Sequence, residues 1–244
     1  MENMRRTTRY AMVAAVAAGA AAVPAVALAA EVELGATKSP LVAPVCPPGV
    51  SSSACTIILT RVTALETIRD GVAYPTTVRQ AGRITAFTVG LSELSTNKAT
   101  RKSYIHYLDQ TYGGTTRVAI TVLRPVGKKG QFHWEAVGSS AVYHVEPYLG
   151  TVVQIPLDTS IEVKPGDVIG LTTPTWAPVL TIDVTAKKFA YRQSRSANCG
   201  APPSSSQAQL TTNQTATYKC DYPGTRVEYS ATEVLYPLGS NPVH

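Results

Sequence analysis

Short runs of β-branched and aromatic residues, separated by Gly, Pro, Ser and Asn at intervals of about ten residues, dominate the chain from residue 56 onward. The clearest are Thr56 to Thr63, Gly82 to Leu91, Thr116 to Arg124 and Ile161 to Leu171. In the third, Val118, Ile120 and Val122 fall on one side of an extended chain, and Arg117, Ala119, Thr121 and Leu123 on the other. Phe132 to Val137, Ser140 to Val145, Gly150 to Leu157, Val179 to Val184, Lys187 to Gln193, Ala216 to Cys220 and Arg226 to Leu235 repeat the texture. No stretch has a convincing amphipathic helical period, although Ser103 to Asp109 fits either a strand or a short helix. Parallel sheets need long crossovers, usually helical. Roughly ten to twelve strands without them predict an all-β, antiparallel β-sandwich, with a jelly roll as the expected topology.

The first 30 residues have a different texture. Arg5, Arg6 and Arg9 precede an Ala-rich apolar run from Ala11 to Val23, and Ala27-Leu28-Ala29 supplies an A-x-A site. This pattern predicts a secretory signal peptide over residues 1–30, cut after Ala29 or Ala30. Pro24 and the scarcity of large apolar side chains argue against a retained membrane anchor. A lipid anchor would need a cysteine at the cut, and the first is Cys46. Arg5-Arg6 leaves the export route open between general secretion and a twin-arginine signal. Residues 31–55 then form a Pro-, Val- and Ser-rich lead-in, expected to be extended or poorly ordered. Residues 56–244 are expected to form a single β-sandwich domain. No later segment is long and apolar enough to span a bilayer, so no membrane association is expected after cleavage.

Four cysteines, Cys46, Cys55, Cys199 and Cys220, all follow the signal segment. In an exported chain an even number predicts two disulfides. Three pairings exist. The two local ones, Cys46–Cys55 and Cys199–Cys220, each close a turn-rich loop and are favoured. No C-x-x-C spacing suggests zinc.

Four motifs occur in a fixed order: Gly82 to Val89, Val118 to Pro125, Ala136 to Ser140, and Ile161 to Leu171. In this order they resemble a group of uncharacterised secreted β-sandwich proteins of actinobacteria. That group carries "G-x-I-T-x-F/W", "V-x-L-R-V-L-R-P", "V-G-S-S" and "V-K-A-G-D-x-I-G-L" in succession. The resemblance covers about residues 80 to 175. It implies a sandwich fold and export, and it carries no activity with it.

Catalytic patterns are sparse. His106, His133 and His144 lack H-x-H or H-E-x-x-H spacing, and no G-x-S-x-G elbow exists. Asp167, in Pro165-Gly166-Asp167, fits a turn better than a calcium site. Glu66, Glu93, Glu135, Glu146, Glu162, Glu228 and Glu233 offer many possible carboxylate pairs, but no spacing singles one out. Asn213 opens a glycosylation sequon, relevant only in a host that modifies exported chains. No metal and no cofactor is expected.

The aromatic residues are unusual: twelve Tyr against three Phe and two Trp. Amphipathic rings suit a wet binding surface. Tyr104, Tyr107, Trp134, Tyr143 and Trp176 are the candidate binding residues, with Tyr112 and Tyr148 nearby in sequence. Net charge is +6, of which the signal segment supplies +2, too little to point to nucleic acid. Basic residues around Lys98, Arg101 and Lys102 fit solvated loops or an anionic polymer. The expectation is a secreted, non-catalytic protein binding cell-wall or environmental polysaccharide. The alternative is a polysaccharide hydrolase using scattered carboxylates.

Overall fold

Fifteen strands and one long helix make up the fold in the computed structural model, which describes residues 30–47, 57–128 and 130–237. The strands are β1 (Glu31–Leu34), β2 (Leu59–Arg69), β3 (Val72–Ala73), β4 (Gly82–Gly90), β5 (Arg117–Val126), β6 (His133–Ser139), β7 (Tyr143–His144) and β8 (Val152–Val163). They continue with β9 (Val168–Ala177), β10 (Leu180–Thr181), β11 (Phe189–Gln193), β12 (Thr215–Thr217), β13 (Cys220–Pro223), β14 (Arg226–Val227) and β15 (Tyr229–Leu235). Helix α1 (Lys98–Tyr112) lies between β4 and β5.

Every strand pair is antiparallel. Among the described residues the smaller main sheet has the order β1-β15-β4-β8, the larger one β12-β6-β5-β9-β2-β11-β13 with β3 and β7 as short additions, and β10 and β14 form a separate two-stranded pair. The chain is thus all-β and sandwich-like, as its patterning predicts. The side-chain period of two places Val118, Ile120 and Val122 of β5 in the main core, beside Phe87 and Val89 of β4 and Leu171 of β9. Leu123 points the other way, into a second cluster with Leu65, Trp134, Val168 and Tyr218. Both faces of the larger sheet are therefore covered, and its central strands are buried almost continuously. Thr63, Thr121 and Thr172 line up on the outer face, with hydroxyl-to-hydroxyl distances of 2.8 and 2.6 Å.

Two expectations meet the structure differently. Over residues 31–47 the lead-in takes the extended alternative and not the poorly ordered one: β1 adds to β15, and Glu33 accepts hydrogen bonds from Ser230 and Thr232. Residues after β1 are pinned by charge. Arg69 donates to the Gly35 carbonyl, Arg226 to those of Ser39 and Pro40, and the Val42 amide donates to Glu228. A Cβ at Gly90 would collide with the Val42 carbonyl, so the lead-in passes where only glycine fits. The correction is α1, fifteen residues long where the sequence offered a short ambiguous segment. Its signals lie outside the apolar pattern. Asn97 caps the first turn by accepting from the Thr100 amide, and Gly113, at φ 82°, ends the last turn.

Asp167 has the structural role its turn suggested. Arg124 grips it with both arms, at 2.8 and 2.9 Å, and the Lys164 amide donates to it at 2.9 Å. Cys199 and Cys220 form a disulfide, in keeping with an oxidising compartment. Cys46 is not free, but its expected partner Cys55 lies outside the described residues, as do residues 1–29 of the expected signal peptide 1–30. Among the described residues no helix is long and apolar enough to cross a membrane.

Candidate binding groove

The smaller sheet is four strands wide and the larger one seven in its main order. Helix α1 packs on the same side of the larger sheet as the smaller sheet does, burying Leu108 in the main core. Between α1 and strands β11 and β13 a groove of about 1050 Å³ remains open. Its helical wall carries Tyr104, Tyr107 and Tyr112, and its sheet wall carries Tyr191 and Tyr222. The disulfide loop from Cys199 to Pro203 closes a third side.

The rings are organised in pairs. Tyr104 and Tyr107 stack with centroids 6.2 Å apart and planes 7° from parallel. Their three-residue separation puts them on neighbouring positions of one helix face. Tyr107 stands 56% exposed, at the lip. Tyr191 and Tyr222 are cross-strand partners of β11 and β13, stacked at 4.8 Å and 17°. Tyr222 donates its hydroxyl to the Cys199 carbonyl at 2.7 Å, which ties the sheet wall to the disulfide loop. Gln193 donates to the Tyr191 hydroxyl at 2.9 Å. Burial raises the Tyr104, Tyr112 and Tyr222 hydroxyls above the ordinary tyrosine value, and Tyr191 further still. These phenols stay neutral near neutral pH and serve as hydrogen-bonding groups rather than bases.

The two walls are braced at one end by Arg61. It sits at φ 52° beside a bulge in the β2–β9 ladder, a left-handed conformation that costs a non-glycine residue. The bulge turns its side chain out of the sheet. Nε and Nη2 donate to the Tyr112 and Thr111 carbonyls at the end of α1, at 3.3 and 3.1 Å. Nη1 donates to the Ser204 carbonyl of the disulfide loop at 3.2 Å.

The groove thus gathers Tyr104 and Tyr107 from the sequence candidates, with Tyr112 beside them. Trp134, Tyr143 and Trp176 are not brought to it. Trp176 is fully buried in β9 and anchors α1 from below. Trp134 is buried in the second cluster, against Tyr74 and Tyr218. Tyr143 packs on Phe87 with centroids 5.8 Å apart, and its hydroxyl accepts from the Asp158 amide. These rings are used to fill and cap the sandwich, so a sequence reading by residue type overestimates the platform. Tyr191, Gln193, Arg195 and Tyr222 are the contributors that reading missed. A signal existed: Tyr191 and Gln193 alternate on one strand face, and Tyr222 follows Cys220 at the same spacing.

Among the described residues the groove lining contains no Asp, Glu or His. Glu66 and Glu228 are buried elsewhere, beside Arg69 and Arg226 respectively. Among the described residues no group of three His, Cys, Asp or Glu side chains is placed to hold a metal ion. Comparison with protein-family models, with curated proteins and with solved structures gave no match.

Proposed function

We propose that this chain is an exported, non-catalytic binding protein that holds a cell-wall or environmental polysaccharide in the tyrosine-lined groove. The observation that carries the reading is the pair of stacked tyrosines on each facing wall, Tyr104–Tyr107 and Tyr191–Tyr222. Tyr104, Tyr107 and Tyr222 offer apolar ring faces to the C–H surface of a sugar and hydroxyls to its polar edge, while Tyr191, 2% exposed, backs Tyr222 from beneath. The walls are preorganised by the disulfide, Arg61 and the helix caps, which lowers the ordering cost of binding. The hydrolytic alternative requires two carboxyl groups roughly 5 to 9.5 Å apart across a sugar site. Carboxyl groups are absent from the lining described above, which favours binding.

The disulfide supports export, as does the apolar segment ending at Ala29. The test is a pull-down of the mature protein on isolated cell wall and on insoluble polysaccharides, with released reducing sugar measured in parallel. Retention without sugar release, lost in a Tyr104→Ala/Tyr107→Ala variant, is the expected result. Sugar release would replace this reading with the hydrolytic one.

A further inference from the structure

We infer that the ligand of this groove is a neutral glycan chain, not an anionic one; this deepens the binding reading above and rests on it. The inference comes from where the cations around the groove point. Helix α1 carries Lys98, Arg101 and Lys102, a cluster that in sequence looks suited to an acidic polymer. At about 100° per residue, Lys98 and Lys102 lie roughly opposite Thr100, which lines the groove. They belong to the helix's solvent face. Arg101 pairs with Glu93.

The two arginines nearest the groove are occupied by the protein itself. Arg61 directs Nε, Nη1 and Nη2 at three backbone carbonyls and lies 5.7 Å from the Tyr112 ring centroid. Arg195, 7% exposed, donates Nη2 to the Asn198 carbonyl and lies against the Tyr222 hydroxyl. Arg61 thus commits its nitrogens to three internal carbonyls, and Arg195 is held by burial, one carbonyl and the Tyr222 hydroxyl, which leaves both poorly placed for a carboxylate or phosphate on a ligand.

What the groove leaves open is hydroxyl chemistry. The side chains of Thr100, Ser103 and Thr225 line it and make no hydrogen bond among the described residues. Together with the ring faces they suit a ligand with C–H faces and many hydroxyls but no charge. A neutral pyranose chain has that composition. Among the described residues the cation in the lining, Arg195, is buried and already bonded to the protein, so an anionic polymer would find little there to pair with.

Affinity electrophoresis and titration of the mature protein decide the matter. The neutral probes are hydroxyethyl cellulose, mixed-linkage β-glucan and glycogen, and the anionic ones are polygalacturonate and poly(glycerol phosphate). We expect binding to at least one neutral probe, with Kd changing less than about twofold between about 20 and about 500 mM NaCl. Tyr107→Ala, at an exposed position that folding does not need, should weaken it by at least about tenfold. Lys98→Ala/Lys102→Ala should leave it unchanged. Binding confined to the anionic probes, or weakened about tenfold by that salt step, would overturn the neutral ligand while leaving a binding groove. Binding to none of the five probes would overturn this inference. Loss of cell-wall retention in the parallel pull-down would overturn the binding reading as well.

Discussion

Trp176 donates its indole Nε1–H to Asp109 Oδ1 at 2.9 Å, so a fully buried side chain of the central strand β9 fixes the helix that carries Tyr104 and Tyr107. The same N–H lies 3.1 Å from the Gly114 carbonyl, just past the helix end. The larger sheet, α1 and the groove wall are therefore joined through one tryptophan edge. Trp176→Phe keeps most of the apolar bulk and removes the donor. We expect a loss of about 1–3 kcal/mol in urea denaturation and faster amide exchange over the last turn of α1. Unchanged exchange there would show that the helix is held by packing alone.

Glu233 gives the fold a pH dependence. It is buried on β15, Oε1 has no hydrogen-bond partner among the described residues, and burial pushes its carboxyl up to about 7. The folded state then holds a proton that the unfolded chain releases near pH 4.5, so stability falls as pH rises from about 4.5 to about 7. Glu233→Gln should flatten that decline and leave the variant more stable than the parent at about pH 8, by on the order of 1–3 kcal/mol. Chemical denaturation at several pH values checks this. A parent stability that rises through that window would show that other groups dominate.

Asp70 acts at the other end of the scale. Burial opposes its charge, but the hydroxyls of Thr37 and Ser39 and the Ser39 amide donate to it, and its carboxyl is lowered to about 2. Its stabilisation is present above the unfolded value of 3.8 and is lost as pH falls toward about 2. Asp70→Asn should remove that acid-side dependence and expose residues 35–42 to proteolysis. Digestion patterns indistinguishable from the parent would show that Arg69 and Arg226 hold the lead-in unaided.

The disulfide between Cys199 and Cys220 spans a separation of 21 residues, and its loop forms one side of the groove. Cys199→Ser/Cys220→Ser should cost about 3 kcal/mol in the chain-entropy account. It should also weaken polysaccharide retention, because Tyr222 holds the Cys199 carbonyl. Peptide mapping of the unreduced protein should recover two separate linked pairs. A peptide joining Cys55 to Cys199 would overturn the local pairing.

Export should leave a chain beginning at Ala30 or Glu31. That position matches the fold: Glu31 opens β1, and the Ala30 carbonyl accepts from the Leu235 amide. Amino-terminal sequencing of the extracytoplasmic protein tests it, and a start that retains Arg5 and Arg6 would refute it.

What the sequence determined by itself was whatever depends on local periodicity and spacing. Alternation along β5 assigned Val118, Ile120 and Val122 to one face and Leu123 to the other, because a strand turns each successive side chain over. Turn composition between Cys199 and Cys220 favoured that pair, since short polar loops close at modest entropic cost. Absence of crossover helices predicted antiparallel sheets. Helix α1 was decided by Asn97, Gly113 and contact with β9, because its mixed apolar and polar order has no clear period. The tertiary structure alone decided which aromatic rings face solvent. Tyr107 and Trp176 look equally suited to a platform in sequence, yet one stands at the lip and the other lies under the helix. Their difference comes from the width of two sheets and the placement of one helix, and the groove joins residues 58 to 225 that no local pattern connects.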